Sequence, residues 1–286
     1  MRNKIIAWIF IIFPLSLQAE QSEKHFMWEI RSDTGIVYLL GSAHIAKKEL
    51  YPLDSVIENA FDRSDYLVVE LDINSLDPSF LTDKIMLPED TTLEDILDPE
   101  LYKRLKKEFN EYKVPSSMFK RYKPWFAVLY LGQIELMNEG YDPNSGIDKY
   151  FLDKAGEREI IALETPEQQM KVFEELDKMP NDFVEYSLNE LDSSIYHMDQ
   201  MIKAWSSGDT TTIKDKVIES MSEDMELEHI SEVMLDKRNY IMADKIKEYL
   251  QDDSIYFVIV GAAHIPGENG ILSILRRGNQ YIIKQK

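Results

Sequence analysis

Two segments of this chain repeat one pattern. Val37-Tyr-Leu-Leu-Gly-Ser-Ala-His-Ile45 and Phe257-Val-Ile-Val-Gly-Ala-Ala-His-Ile265 are each an apolar run closing on Gly-x-x-His. A short apolar run bounded by glycine reads as a buried strand. The chain holds five histidines, and two of them occupy this one context. A fold that accepts both segments must bury two similar strands and turn sharply after each. Glycine permits such a turn, and it lets a ligand approach backbone N–H groups.

Other apolar runs complete a set of strands. Residues 36–40, 66–69, 159–163 and 255–260 read as buried strands, and a last one, 280–283, follows Gly278. The stretches between them carry helical spacing, at 55–63, 92–112, 117–139, 181–205 and 224–251. Thr165-Pro166-Glu167-Gln168 predicts a helix start, with Thr165 as N-cap, Pro166 at the first position and Gln168 closing a capping box. Ser145-Gly146-Ile147-Asp148 predicts another, with Asp148 in the capping-box position. Strands alternating with helices imply an α/β fold with a mostly parallel central sheet. Residues 20–286 form one domain in this reading, with large helical insertions at about 76–158 and 166–253.

The strand ends are chemically loaded. They finish at His44, Glu70, Glu164 and His264. In an open parallel sheet, ligands bind beyond the carboxyl ends of the strands. Two imidazoles and two carboxylates therefore converge on one rim. Two His and one or two Glu can hold a divalent ion such as Mn, Co, Fe or Zn. Such an ion lowers the pKa of bound water and polarises a carbonyl. A remaining Glu can act as general base, and without metal a His–Glu pair can still activate water. Arg238 falls inside an apolar helical stripe made by Met234, Leu235, Ile241, Met242, Ile246 and Tyr249. A guanidinium there either finds an anionic partner, such as Glu70, Glu164 or a substrate oxygen, or snorkels to the edge of the stripe.

Composition narrows the chemistry. The chain has no cysteine, which excludes disulfides, thiolate metal sites, attached c-type haem and a cysteine nucleophile. The net charge of −20 argues against a nucleic-acid partner. There is no phosphate-binding lysine loop, no Gly-x-Ser-x-Gly elbow and no His-Glu-x-x-His. Trp125 and the aromatics around it read as core. Residues 1–19 have a positive start at Arg2 and Lys4, an apolar run too short to span a bilayer, and a small residue at Ala19. That is the layout of a signal peptide, so the expected location is periplasmic or secreted, with no membrane association after cleavage.

These residues resemble the TraB/GumN family, which includes the Tiki-type metalloproteases of animals. The matching pieces are Trp28-Glu29-Ile30, Val37–His44, Leu50-Tyr51-Pro52-Leu53 and Val68-Val69-Glu70-Leu71-Asp72. They continue through Lys123-Pro124-Trp125, Gly146-Ile147-Asp148, Leu163-Glu164-Thr165 with Gln169, Arg238-Asn239 and Gly261–His264. Ser42 and Ala43 stand where a Thr-x pair is common. The resemblance implies an erythromycin-esterase/ChaN-like α/β fold with the two Gly-x-x-His motifs facing each other. It implies a metal held by His44, His264 and Glu70, and catalytic roles for Glu70, Glu164 and Arg238 in peptide cleavage. The expected function is an exported metal-dependent hydrolase, a peptidase first, acting on a peptide or other small substrate. The alternative is a periplasmic protein that sequesters a peptide, haem or iron without turnover.

Overall fold

A computed structural model describes residues 24–219 and 231–286. The expected signal peptide, and the start of the helix expected over 224–251, lie outside the described residues. Six strands form one sheet: β1 (Met27–Arg31), β2 (Ile36–Ser42), β3 (Tyr66–Val69), β4 (Glu159–Ala162), β5 (Ile255–Gly261) and β6 (Ile282–Gln285). Their order is β4-β3-β5-β2-β1-β6. The four strands from β4 to β2 run parallel, and β1 and β6 add an antiparallel flank.

Sequence explains the core of this sheet. Val37–Leu40 and Phe257–Val260 are uninterrupted apolar runs, and both are buried on both faces, as central parallel strands require. Four of the expected strands sit where the apolar runs placed them. The last expected strand is displaced to Ile282–Gln285, where it pairs with β1 rather than following Gly278 directly. The apolar runs do not indicate β1. Its Trp28-Glu29-Ile30-Arg31 alternates in the manner of a flanking strand, and it packs Met27, Trp28 and Ile30 inward.

The expected helices are present but more finely divided. The stretch 92–112 becomes Leu93–Ile96 and Pro99–Glu111, because Pro99 starts a new helix at its first position. The stretch 117–139 becomes Ser116–Phe119 and Pro124–Asn138 for the same reason at Pro124. Thr165 forms the expected capping box with Gln168 and opens helix Pro166–Leu176. Helices from both long connections then meet. Leu105, Phe109, Phe119, Trp125, Leu131, Met170, Phe183 and Val184 make a second apolar cluster beside the one centred on the sheet. No helix among the described residues is long and apolar enough to cross a membrane.

Candidate active site

The carboxyl ends of β2, β5, β3 and β4 lie side by side, and each delivers a polar group. The register pairs Ser42 with Gly261 across β2 and β5, so the two Gly-x-x-His turns leave the sheet together. Glu70 follows β3. Glu164 lies just past β4, and its N–H donates to the Glu70 carbonyl at 2.9 Å, extending the ladder beyond the strands.

Each histidine is anchored through Nδ1. His44 Nδ1 lies 2.9 Å from Asp148 Oδ2, and Ser42 Oγ donates to Asp148 Oδ1 at 2.9 Å. His264 Nδ1 lies 2.6 Å from Asn239 Oδ1, and Asn239 Nδ2 donates to the Asn269 carbonyl at 3.0 Å. In a neutral imidazole, an acceptor at Nδ1 fixes the proton there and leaves Nε2 as the free lone pair. His44 and Glu70 line one cleft. His264 Nε2 is 3.5 Å from Glu70 Oε1. A Cβ added at Gly261 would stand 3.3 Å from Glu70 Oε1 and 3.7 Å from His44 Nε2, so the absent side chain leaves this point open.

Asp148 takes a role that the sequence reading did not give it. Helix Ile147–Lys154 starts on Gly146, which has no side chain to complete a capping box. Asp148 therefore turns to His44 and Ser42 instead, from the first turn of the helix where an anion is favoured. Gly146 is required here for close packing, since a Cβ would collide with the His44 carbonyl oxygen. The Ile147 N–H also donates to the Ala43 carbonyl at 2.9 Å, latching the His44 turn to this helix.

Arg238 has found anionic partners. Its Nε donates to Glu164 Oε1 at 2.8 Å, and its Nη2 donates to Glu164 Oε2 at 2.6 Å and Glu70 Oε2 at 2.7 Å. Its Nη1 donates to the Met234 carbonyl at 3.0 Å. Gln169 Nε2 adds a contact to Glu164 Oε2 at 3.3 Å. Glu70 and Glu164 are both buried. A single guanidinium thus bridges two buried carboxylates in the fork geometry that arginine provides.

The electrostatics follow from these contacts. Burial opposes charge on Glu70, but His264, Arg238, His44 and the Gly261 N–H outweigh it and hold its carboxyl down at about 2. Arg238 is the permanent cation in that set. Burial pushes the His264 imidazole below its usual value, against the pull of the Glu70 carboxylate. The Asp148 carboxylate raises His44 to about 9. His44 must therefore give up a proton before its Nε2 can ligate an ion. Its side chain faces the cleft and is 69% exposed, whereas that of His264 is enclosed at 5%.

The donor types suit a divalent ion. Two donors about 2.0–2.1 Å from one ion at a tetrahedral angle stand about 3.4 Å apart. The separation between His264 Nε2 and Glu70 Oε1 is close to that value, and too long for a good hydrogen bond. The anchored Nδ1 atoms supply the outer partners that ligating histidines use. Among the described residues, however, no three His, Asp or Glu side chains already form a metal-holding cluster. Glu70 Oε2 is engaged by Arg238 and Oε1 by the Gly261 N–H at 2.5 Å.

Residues 26–282 match the TraB/PrgY/gumN family. The chain belongs to that family. The match runs from β1 to the start of β6, so this TraB-family sheet carries both Gly-x-x-His turns inside the matched region. The uncharacterised protein YbaP of Escherichia coli is 23% identical, over 84% of this chain and 87% of its own length. Metalloprotease TIKI1 of Xenopus tropicalis is 24% identical, over 91% of this chain and 62% of its own. A TIKI metalloprotease homologue from Amphimedon queenslandica is 22% identical, over 90% and 60%. The TraB-family chain therefore spans about three-fifths of these two metalloproteases. No solved structure matches it.

Proposed function

We propose that this chain is an exported, metal-dependent hydrolase with peptides as its first substrate class. The observation that carries the proposal is the pair of Nδ1-anchored histidines at the ends of adjacent parallel strands, with His264 Nε2 3.5 Å from Glu70 Oε1 and His44 Nε2 and Glu70 Oε1 both beside Gly261. The TIKI metalloprotease relatives support the reaction class. Residues 1–19 support export to the periplasm or outside the cell.

In this reading His44, His264 and Glu70 would hold a divalent ion such as Mn, Co, Fe or Zn. When bound, it supplies an acidified water and a polarised carbonyl. The other steps belong to the chain. Asp148 and Asn239 keep the two imidazoles in the ligating tautomer and orientation. Arg238, held between Glu70 and Glu164, would steady an anionic oxygen of the substrate, with Glu164 as base or fourth ligand. The buried strand ends shield one side from water, while the exposed face of His44 admits substrate.

The test is metal content and peptide cleavage in wild type, His44→Ala and His264→Ala. Wild type is expected to bind an ion and cut peptides. Each variant should lose more than the roughly 10–100-fold that removing an outer partner costs. A metal-free protein with unchanged activity in both variants would sink the proposal. A second reading, sequestration of a peptide, haem or iron without turnover, draws on the full engagement of Glu70 and Glu164 by Arg238. Saturable binding with no product by mass spectrometry would favour it.

A further inference from the structure

The cleft at the histidines has two lobes. One, of about 520 Å³, contains Glu70, Arg238 and Gln169. The other, of about 620 Å³, lies against helix Pro124–Asn138 and is walled by Val128, Gly132, Leu136, Phe183 and Leu191. His44, Leu129 and Pro143 line both lobes, so the second is continuous with the candidate active site.

Gly132 is the unexpected residue in that wall. It sits inside a 15-residue helix, where glycine is the poorest choice after proline. Close packing does not require it, because a Cβ there would meet no atom within 4 Å. Its absent side chain faces open space, and it widens the second lobe. Leu129, on the ridge between the lobes, remains 45% exposed. Apart from His44, Glu190 is the one charged side chain lining this lobe among the described residues. With a net charge of −20 on the chain, that wall disfavours an anionic group and suits an uncharged apolar one.

We propose that the lobe beside Gly132 is a specificity subsite. It takes one bulky, uncharged apolar side chain of a peptide substrate, on the side of His44 away from Arg238. This inference rests on the hydrolase reading above and adds the side-chain class that the site prefers.

The experiment pairs a binding probe with a cleavage profile. The uncharged dye N-phenyl-1-naphthylamine is titrated by fluorescence into wild type, Gly132→Ala and Gly132→Leu. A degenerate synthetic peptide mixture is then incubated with each, and cut sites are read by mass spectrometry. Melting temperatures serve as the folding control. Gly132→Ala should melt above wild type, by about 2–4 °C, since its Cβ relieves a helical glycine without a clash, and Gly132→Leu should still melt cooperatively. Gly132→Leu should weaken dye binding about tenfold or more, and Gly132→Ala by less than about threefold. Gly132→Leu should also move the cleavage preference from bulky apolar toward small residues on one side of the cut.

Dye affinity unchanged in Gly132→Leu overturns the subsite. So does cleavage with an unchanged preference, although the hydrolase reading would then survive. Loss of dye binding with no cleavage by any protein supports the apolar lobe and overturns the hydrolase reading, so the two failures are distinguishable.

Discussion

Arg238 stands between two carboxylates that have no other permanent counter-charge in ion-pair contact among the described residues. Glu70 and Glu164 are buried, and the guanidinium itself is 16% exposed at its side chain. Removing one member of such a buried set leaves uncompensated charge, which costs about 3–5 kcal/mol. Arg238→Met is therefore expected to lose about that much stability in urea unfolding at neutral pH. The deficit should shrink in acid. Without the guanidinium, burial pushes the Glu70 carboxyl up, so its protonation relieves the folded protein as pH falls. Stability equal to wild type at neutral pH would show that another group neutralises the carboxylates. The cluster was legible in the sequence because strand ends and an arginine in an apolar stripe are periodic signals. The roles of Asn239 and Asp148 were not. A lone Asn within a helix has no periodicity, and Asp148 reads equally well as a capping residue until Gly146 proves to be the cap.

At the level of elements, the helix Ser194–Ser206 is tied to the chain that leads into the His44 latch. Tyr141 donates its hydroxyl to Asp199 Oδ1 at 2.6 Å, and Lys47 reaches the same oxygen at 3.4 Å. The Tyr141 hydroxyl holds the Asp199 carboxyl below its ordinary 3.8, against a small burial penalty, and Lys47 adds to the effect. A folded pKa below the unfolded one gives stability that is present above 3.8 and is lost as pH falls through the folded value. Asp199→Asn should flatten that part of the acid-unfolding curve, with the gap to wild type closing toward low pH. A gap that widens in acid would contradict the assignment. The central strands were legible because their apolar runs are short and bounded. The flanking strand β1 was not, since a half-buried alternating segment of five residues carries a weaker signal than a buried one.

Across the described residues, two apolar clusters share one chain but differ in size. Val37, Leu39, Leu40, Leu67, Val68 and Phe257 to Val260 are fully or almost fully buried in the sheet cluster. The helical cluster has a smaller buried set, so partly buried residues such as Phe80, Tyr122, Phe126 and Phe173 make up a larger share of it. Local opening is easier where fewer groups are enclosed. Amide exchange is therefore expected to be slowest in β2, β3 and β5 and faster in the helices between Leu93 and Leu191. Uniform protection across both regions would show that they open only as one unit. The fold class was readable from alternating strands and helices. The meeting of the two long connections was not, because sequence distance says nothing about which inserted helices touch.

Strand β5 has a consequence for timing. It lies at the centre of the sheet, between β2 and β3, yet it is the fifth strand in chain order, and β4 and a long helical connection separate it from β3. Until residues 255–261 emerge from the ribosome, the two halves of the sheet have no bridge, and His264 cannot reach Glu70. Contacts of such long sequence separation form late. A nascent chain therefore carries His44 and Glu70 without a finished site, and any activity waits until β5 and His264 have been made.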